Sequence, residues 1–318
     1  MPERVFITGA LGFIGRALAD RYRAGGAEIR GVDVRADPER GVVQGDVSRP
    51  GDWQGHAAGC DLVIHTAAIL GLGGDPDEYW DVNVLGTRLA VDAAARGGAQ
   101  RFVHFSTVLA FSPRFPDGVD ERHPVRTNGM PYVDTKVASE QVVLAAHASG
   151  EVDCTIVRPG DVYGPGSRPW TIIPVEQIKT GMMGAIPRGV FSPVYIENLV
   201  DGVTLAAAGP AGQIYTLSDG RGVSNEEFFG NYFRMLGKRP PRTLPAPLLR
   251  GFAWAFDRGS RALGRENELN PGAITYLARK GTYSIEKARR ELGYEPKVDL
   301  AEGMRRTEAW LRDQGMLD

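Results

Sequence analysis

Residues Thr8 to Gly15 read Thr-Gly-Ala-Leu-Gly-Phe-Ile-Gly, and they constrain the fold more than any other segment. They follow a short apolar run, Val5-Phe6-Ile7, and lead into a helical pattern of apolar residues. A strand, a glycine-rich turn and a helix in this order are typical of a dinucleotide-binding βαβ unit. The spacing is G-x-x-G-x-x-G rather than the commoner G-x-G-x-x-G. We expect Gly9 to allow the tight turn, Gly12 to let the backbone approach a pyrophosphate, and Gly15 to allow close packing of helix and strand. The free N–H groups of the helix start then face the phosphates.

The second predicted strand, Glu28 to Asp33, ends in an acid. Asp33 follows Gly15 by 18 positions, near the roughly 20 expected of the carboxylate that holds an adenosine ribose. Arg35 lies close by and could accept the 2′-phosphate of NADP. A carboxylate at Asp33 repels that phosphate by about 1 to 4 kcal/mol for each pair of unit charges at about 4 Å. The sequence therefore favours NAD.

Further short apolar runs alternate with helical patterns along the first half of the chain. The runs rich in β-branched residues are 42–46, 61–65, 101–106 and 154–157. Such alternation predicts an α/β, doubly wound parallel sheet of the Rossmann type, covered by helices on both faces. Cofactors bind beyond the carboxyl ends of the strands in such sheets. The sequence thus brings Gly9, Asp33, Asp46, Ala67 and the pair Ser106-Thr107 to one edge.

A loop rich in proline and glycine, residues 158–166, marks the exit from the regular sheet. Beyond it the alternation of strand and helix weakens. We therefore predict an NAD-binding domain over residues 1–160, to which residues 194–217 return. Residues 161–193 and 218–318 form a smaller substrate-binding lobe in this interpretation.

Charge and cysteine content exclude several classes of partner. A net charge of −2 gives no field to attract nucleic acid. The two cysteines, Cys60 and Cys154, form no metal or redox motif, and His65 and His104 lie inside apolar strand runs without other ligands at suitable spacing. We expect no metal and no nucleic-acid partner. The first strand begins near residue 4, and no apolar stretch approaches the roughly 20 residues of a membrane span, so we expect a cytoplasmic protein without stable membrane insertion.

Tyr132 and Lys136 stand four positions apart at the start of a helical stretch that runs to about residue 148. One helical turn brings both side chains to the same face. A free tyrosine, with a pKa near 10, is a poor base at neutral pH. We expect the neighbouring ammonium, together with the charge of an oxidised nicotinamide, to lower the pKa of Tyr132 toward working pH.

The chain resembles the extended short-chain dehydrogenase/reductase superfamily over nearly its whole length. The matching segments are Thr8 to Gly15, Asp33, Gly45-Asp46-Val47, His65-Thr66-Ala67-Ala68, Asn83-Val84-Leu85-Gly86-Thr87, Ser106-Thr107, Tyr132 to Lys136, and Arg158-Pro159 with Val162-Tyr163-Gly164-Pro165. The resemblance implies a Rossmann fold, a nicotinamide cofactor and hydride transfer to or from a carbon–oxygen group. It also implies that Asn83 is structural and supports the sheet from its helix.

By the same resemblance, Thr107 fixes the substrate oxygen, Tyr132 is the acid/base, and Lys136 holds the nicotinamide ribose. Asp46 and Val47 are expected at the adenine, and Ala67 and Ala68 along the cofactor cleft. The full set expected to bind NAD is Gly9, Leu11, Gly12, Phe13, Ile14, Asp33, Val34, Asp46, Val47, Ala67, Ala68, Ser106, Tyr132, Lys136, Pro159 and Val162.

Two branches of the superfamily compete for the substrate. Nucleotide-sugar epimerases and dehydratases usually carry an Arg-Asp-Phe triplet whose arginine grips the pyrophosphate, and Phe191 occupies that arginine position here. The 3β-hydroxysteroid and sterol dehydrogenase branch is closer, as in Val108-Leu109-Ala110-Phe111, where sugar enzymes usually have Val-Tyr-Gly. We therefore favour a hydroxyl or carbonyl on a largely hydrophobic, steroid-like or aromatic substrate. The alternatives are a nucleotide-sugar epimerase or dehydratase, and a non-catalytic NAD-sensing Rossmann protein.

Three apolar regions support this interpretation or predict assembly. The smaller lobe offers apolar side chains for a substrate, namely Trp170, Ile172, Ile173, Met182, Met183, Ile186, Trp254 and Phe256. The stretch Leu248 to Phe256 is apolar on most of a helix, which fits a membrane contact or a lid over the substrate cleft, and we favour the lid. The helix that carries Tyr132 has additional apolar residues, Val137 and Val142 to Ala145, which predict a homodimer contact.

Overall fold

The computed structural model describes residues 1–71, 74–112, 114–262 and 271–317. The strands are β1 Arg4–Thr8, β2 Glu28–Asp33, β3 Val42–Gln44, β4 Leu62–His65, β5 Arg101–Phe105, β6 Cys154–Pro159, β7 Asp161–Tyr163, β8 Ile186–Pro187, β9 Val190–Phe191, β10 Pro193–Tyr195, β11 Gln213–Leu217, β12 Val223–Ser224 and β13 Thr243–Leu244. The α-helices are α1 Phe13–Ala24, α2 Pro76–Trp80, α3 Gly86–Gly97, α4 Pro131–Ala148, α5 Ile173–Lys179, α6 Ile196–Ala208, α7 Asn225–Met235, α8 Ala246–Ala262, α9 Pro271–Leu277, α10 Glu286–Leu292 and α11 Leu300–Asp313.

The central sheet has seven parallel strands in the order β11-β6-β5-β4-β1-β2-β3. The order reverses between β1 and β4, which is the switch point where doubly wound sheets bind ligands. The predicted Rossmann fold is therefore confirmed. Strand β11, at one edge, is a member that the sequence pattern did not single out.

Alternation along β1 divides the core between the two faces of the sheet. Val5 and Ile7 pack in one cluster with Leu18 of α1 and Val203 of α6. Phe6 points to the other face, into a cluster with Ala90 of α3. Because successive side chains of a strand point to opposite faces, a strand buried on both sides needs a continuous apolar run. Val5-Phe6-Ile7 is such a run, and all three residues are fully buried.

Short strand pairs build the region beyond the central sheet. Strand β10 pairs with β7, β12 with β9, and β13 with β8. Phe191 of β9 is fully buried here and stacks on Phe228 of α7, with ring centroids 3.8 Å apart. None of the helices in the described ranges has both the length and the apolar character needed to cross a bilayer.

Candidate active site

The glycine turn fits closely between β1, α1 and the loop after β4. Gly9 has φ +66°, and a Cβ there would come within 2.8 Å of the Ala67 backbone nitrogen. A Cβ at Gly15 would lie 2.2 Å from the Gly9 carbonyl oxygen, so the close approach that Gly15 allows is to the turn itself. Gly12 precedes α1 without a side-chain cap. The first N–H groups of α1 are thus available to an anionic ligand, as expected for a pyrophosphate site.

Asp33 lies at the end of β2 and is oriented by two backbone amides. Its Oδ2 accepts a hydrogen bond from the Leu11 amide at 2.9 Å, and its Oδ1 accepts one from the Val34 amide at 2.8 Å. The carboxylate is half-buried beside the glycine turn, whereas Val34 and Arg35 are exposed. Each carboxylate oxygen has a second lone pair, which leaves acceptor capacity for ribose hydroxyls.

The remaining residues of the expected NAD set lie in two groups. Asp46 follows β3 and accepts hydrogen bonds from the Ser48 amide at 2.9 Å and the Ser48 hydroxyl at 2.7 Å, and the hydroxyl bond is the main reason that the pKa of Asp46 lies below its usual range. Val47 is buried against the start of α3. Half-buried residues around the turn and after β4 are Leu11, Phe13, Ile14, Ala67 and Ala68. Pro159 and Val162 are buried in β6 and β7.

Thr107 and Tyr132 are joined by a side-chain hydrogen bond. Thr107 follows β5, is buried, and its hydroxyl oxygen also accepts a hydrogen bond from the Leu109 amide at 3.2 Å. Burial raises the pKa of Tyr132 to about 12, and the bond to Thr107 opposes this rise. Burial therefore dominates in the chain alone, and the lowering expected from Lys136 together with an oxidised nicotinamide stays a prediction for the NAD complex.

Lys136 is buried on α4, one turn after Tyr132. Burial lowers the pKa of its ammonium to about 8, and the charge of Glu140 opposes that lowering. His65 and His104 lie nearby as stacked, buried rings with centroids 5.7 Å apart. Burial and the Lys136 charge lower the pKa of His65 to about 3, so both sites favour neutral imidazoles.

Hydroxyl groups satisfy these two histidines. His65 Nδ1 lies 2.7 Å from the Thr8 hydroxyl and its Nε2 lies 3.1 Å from the Thr87 hydroxyl. His104 Nε2 lies 2.9 Å from the Ser139 hydroxyl. Neutral rings held in this way join β4 to β1 within the sheet and connect α3 and α4 to it. No group of His, Cys, Asp and Glu in the described residues is arranged to hold a metal ion.

Arg158 and Glu140 form a buried ion pair near Lys136 that was not predicted from the sequence. Arg158 donates from Nε and Nη2 to the two oxygens of Glu140 at 2.8 and 2.7 Å. The Ser106 hydroxyl donates its proton to the same carboxylate, which leaves its lone pairs as possible acceptors toward a cofactor. The Arg158 guanidinium also lies 4.8 Å from the centre of the Phe111 ring. The sequence does indicate the position of Glu140, because this residue continues the four-residue spacing of Tyr132 and Lys136 on one face of α4.

The Asn83 side chain is hydrogen-bonded to a loop and to α4. Its side chain is fully buried and accepts a hydrogen bond from the Ile69 amide at 2.8 Å. Its amide group donates to the Ile69 carbonyl at 3.2 Å and to the Thr135 hydroxyl at 3.1 Å. Asn83 thus links the loop that follows β4 to α4, between the positions of Tyr132 and Lys136.

The position where nucleotide-sugar enzymes usually have arginine is part of an aromatic core. Phe191 is fully buried between Phe228 and Trp170, whose ring centroid lies 4.9 Å away. A buried arginine does lie nearby, since the Arg279 guanidinium is 6.0 Å from the Phe191 ring. Its Nη2 is hydrogen-bonded to Asp161, and each partner's side chain is 1% exposed.

The Asp161 carboxylate accepts hydrogen bonds from three groups. Besides Arg279, it accepts hydrogen bonds from the Tyr276 hydroxyl and, at 2.9 Å, from the Ser192 amide. The charge of Arg279 is therefore compensated within the chain. The other basic residues that could have substituted for the missing arginine, Arg188, Arg168 and Lys179, are exposed.

The apolar residues expected to line the substrate cleft differ widely in exposure. Ile186 is buried in the core, whereas Met182, Trp254 and Phe256 are 54%, 58% and 47% exposed. Trp170, Ile172, Ile173 and Met183 are half-buried. The lid expected of α8 stays a prediction, because an open lid exposes its apolar side chains and a closed one buries them.

The chain is similar over most of its length to known proteins. The model of the NAD dependent epimerase/dehydratase family matches residues 5–217. A ketoreductase of Stigmatella aurantiaca, named for 4-hydroxy-2-methyl-3-oxo-4-farnesyl-3,4-dihydroquinoline-1-oxide, is 31% identical over 318 residues, which cover 95% of this chain and 94% of the relative. A 3-beta-hydroxysteroid dehydrogenase of Mycolicibacterium neoaurum is 32% identical over 333 residues, covering 95% and 89%.

Solved structures share the fold. The dTDP-glucose 4,6-dehydratase DesIV of Streptomyces venezuelae, solved with NAD and TYD bound, superposes with a TM-score of 0.79. The two chains are 24% identical, and the match covers 99% of each. At this identity the likeness establishes the architecture and leaves the substrate to the residues of the site.

Proposed function

The chain belongs to the NAD-dependent epimerase/dehydratase family as an NAD-dependent oxidoreductase of the extended short-chain type, and we propose that its substrate is a largely hydrophobic alcohol or ketone. Steroid-like and aromatic ring systems are the class we favour. The observation that carries this proposal is the complete burial of Phe191 in an aromatic core, where a nucleotide-sugar enzyme needs a cation.

The cofactor site has the features that NAD requires. The glycine cradle has no room for Cβ atoms at Gly9 and Gly15, α1 presents uncapped N–H groups, and Asp33 offers lone pairs to a ribose. When bound, the nicotinamide supplies or accepts the hydride and, when oxidised, adds a positive charge that favours the phenolate of Tyr132.

The catalytic roles follow from the side chains. In reduction, the Tyr132 hydroxyl donates its proton to the carbonyl oxygen as the carbonyl carbon gains a hydride. Thr107, hydrogen-bonded to Tyr132, fixes the same oxygen. Lys136 is charged at pH values below its pKa of about 8. In that state it stabilises the phenolate left on Tyr132 and holds the nicotinamide ribose. Oxidation of the alcohol runs through the same groups in reverse.

The substrate class is supported by charge as well as by shape. A diphosphate needs cations that make paired hydrogen bonds, and Arg279 already donates to Asp161. The names of two relatives point the same way, since one is a ketoreductase named for a farnesyl dihydroquinoline oxide and the other is a 3-beta-hydroxysteroid dehydrogenase. Burial of a ring-rich substrate yields about 25 cal/mol per Å² before the costs of binding.

We further propose a homodimer, a cytoplasmic location and the division into two domains. Val142 and Leu144 of α4 are only half-buried and Ala145 is exposed, which supports a helix contact between copies, although Val143 is used by the chain's own core. A monomer in light scattering at micromolar concentration contradicts the dimer. Strand β11 lies in the large sheet, which supports the return of residues 194–217 to the NAD domain. Part of the smaller lobe, residues 263–270, lies outside the described residues.

The substrate experiment compares two panels under identical conditions. Steroid and aryl alcohols and ketones form one panel, and UDP-, GDP- and dTDP-sugars form the other. NADH absorbance reports redox turnover, and chromatography reports epimerisation or dehydration. We expect turnover on the apolar panel that Tyr132→Phe abolishes and Tyr215→Phe, on the edge strand, retains. Efficient conversion of a nucleotide sugar without redox activity on the apolar panel contradicts the proposal and supports the epimerase alternative.

A further inference from the structure

Three buried polar atoms beside Asp161 have no hydrogen-bond partner among the described residues. They are Nε and Nη1 of Arg279 and the hydroxyl oxygen of Ser192. The Ser192 amide and Arg279 Nη2 donate to the same Asp161 oxygen, Oδ2, so the two residues are neighbours. Asp161, Ser192 and Arg279 are all at most 3% exposed. A buried donor without a partner costs free energy and is rare in folded proteins, so a cluster of such atoms indicates a place for a ligand.

The cluster lies at the same edge of the sheet as the groups expected to react. Strands β5 and β6 are parallel neighbours, with Phe105 opposite Val157. Thr107 comes two positions after Phe105, and Asp161 comes four positions after Val157. Both therefore lie just beyond the carboxyl ends of adjacent strands, which is where open α/β sheets bind their ligands.

Aromatic rings connect the cluster with Thr107. The Arg279 guanidinium is 4.0 Å from the centre of the Tyr276 ring and 5.8 Å from that of the Tyr283 ring. Tyr283 in turn stacks on Phe111, with ring centroids 5.9 Å apart, and Phe111 ends the short helical turn that Thr107 caps. The unpartnered donors are thus set in a region of rings that extends to the position expected for the reacting oxygen.

We propose that Arg279 and Ser192 form a second polar subsite, which binds an uncharged oxygen of the substrate at a point separate from the reacting carbon. The subsite rests on the proposed function, to whose apolar substrate it adds a carbonyl or hydroxyl group. A free N–H of Arg279 and the Ser192 hydroxyl supply the hydrogen bonds. Because a few placed polar groups fix the orientation of a ligand in an apolar site, the subsite selects which carbon meets Thr107 and Tyr132.

The charge balance of the cluster selects an uncharged oxygen. Arg279 is already paired with the Asp161 carboxylate. A carboxylate or phosphate on the free donors would lie close to Asp161, and like charges repel strongly where burial excludes water. A carbonyl or hydroxyl oxygen accepts the same hydrogen bonds without adding charge. We therefore expect the second oxygen to be neutral and to be carried by an otherwise apolar ring system.

Matched steroid alcohols test the subsite with the intact enzyme and NAD. 3β-Hydroxyandrostane is compared with its ketones at carbon 7, 11 or 17 and with its 17β-carboxylate, and NADH formation gives kcat/KM for each. We expect one of the ketones to exceed the parent alcohol by roughly tenfold or more, because an analogue without the oxygen leaves buried donors unpaired. The carboxylate should gain no such advantage.

Two variants separate recognition of the oxygen from structural support. Arg279→Lys keeps a positive charge beside Asp161 but replaces three donor nitrogens with one, and the ratio of kcat/KM for the preferred ketone to that for the parent should fall roughly fivefold or more. Ser192→Ala keeps the amide that bonds Asp161 and should lower the ratio by about twofold to fivefold. Arg221→Lys is the matched control, because Arg221 pairs with a carboxylate at the surface, and it should keep the ratio. A structural defect lowers both rates together and leaves their ratio unchanged.

Each remaining outcome counts against the subsite in a different way. Turnover of the probes without a preference overturns the subsite and leaves the proposed function standing, and so does a preference that Arg279→Lys retains. Preferred turnover of the carboxylate assigns the cluster to an anionic group and overturns the uncharged class. If the folded enzyme oxidises none of the probes, the steroid-like class fails and the subsite fails with it.

Discussion

Replacing Glu140 by glutamine tests whether the buried ion pair behind Lys136 holds the active-site helix to the sheet. Glu140 and Arg158 are 1% and 3% exposed and share two hydrogen bonds of 2.7 and 2.8 Å. Glutamine keeps the size of the side chain and one carbonyl acceptor, but it leaves the guanidinium charge uncompensated. Breaking one side of a buried pair costs about 3 to 5 kcal/mol. That is a large part of the roughly 5 to 15 kcal/mol by which proteins are stable.

Urea unfolding followed by far-UV circular dichroism measures this loss. Glu302→Gln is the matched control, because Glu302 pairs with Arg305 at the surface, where the two side chains are 35% and 69% exposed. Such exposed pairs contribute about 0 to 1 kcal/mol. The variant Glu140→Met/Arg158→Met removes both charges together and should lose less stability than Glu140→Gln, since no unpaired charge remains.

The same substitution should change the pH response of Lys136. Glu140 opposes the lowering of the Lys136 pKa, so Glu140→Gln should move that pKa below about 8. The pH above which ketone reduction declines should fall with it. The reasoning is refuted if Glu140→Gln loses no more stability than Glu302→Gln, or if its pH profile coincides with that of the wild type.

Other expectations concern the cofactor and the proton. Tyr132→Phe should keep NAD affinity within a few-fold and lower turnover by roughly 10²-fold or more, and near-normal turnover would show that Tyr132 is not the acid/base. Isothermal titration should find tighter binding of NAD than of NADP, with the preference reduced in Asp33→Ser. Tighter binding of NADP by the wild type would mean that Arg35 outweighs Asp33. For the wild type, kcat/KM of ketone reduction should be constant at lower pH and decline as pH rises through about 8, where Lys136 loses its charge. A profile that instead rises through pH 8 would contradict this role of Lys136.

Local patterns predicted the cofactor half of the site. The glycine turn, the acid at the end of β2 and the four-residue spacing of Tyr132 and Lys136 are each contained in a short segment, and strand order then brings them to one edge. Sequence spacing does not report burial, however. For that reason the spacing of Tyr132 and Lys136 did not reveal the desolvation that raises the Tyr132 pKa to about 12 in the chain alone, because this desolvation depends on surrounding residues from several elements.

Ion pairs between residues far apart in the chain could not be predicted from the sequence. Asp161 and Arg279 are 118 positions apart, and nothing in either local segment identifies the other as its partner. The amphipathic pattern of α8 indicated an apolar face without indicating what that face contacts. In the structure Ala253 is buried and marks the side of α8 that packs inward, whereas Phe252 is exposed.

Charge compensation inside the chain connects stability with the choice of substrate. The buried basic side chains of the described residues are Lys136, Arg158 and Arg279. Both arginines are paired with carboxylates of the chain, Glu140 and Asp161. Arg279 holds Asp161 through Nη2, and a diphosphate that displaced this bond would leave Asp161 buried without its cation, at a cost comparable to the loss of any buried pair. An apolar substrate makes no such demand. The Asp161–Arg279 pair therefore also disfavours a substrate that displaces it, and Lys136 is left as the buried cation available to the cofactor and the reacting oxygen.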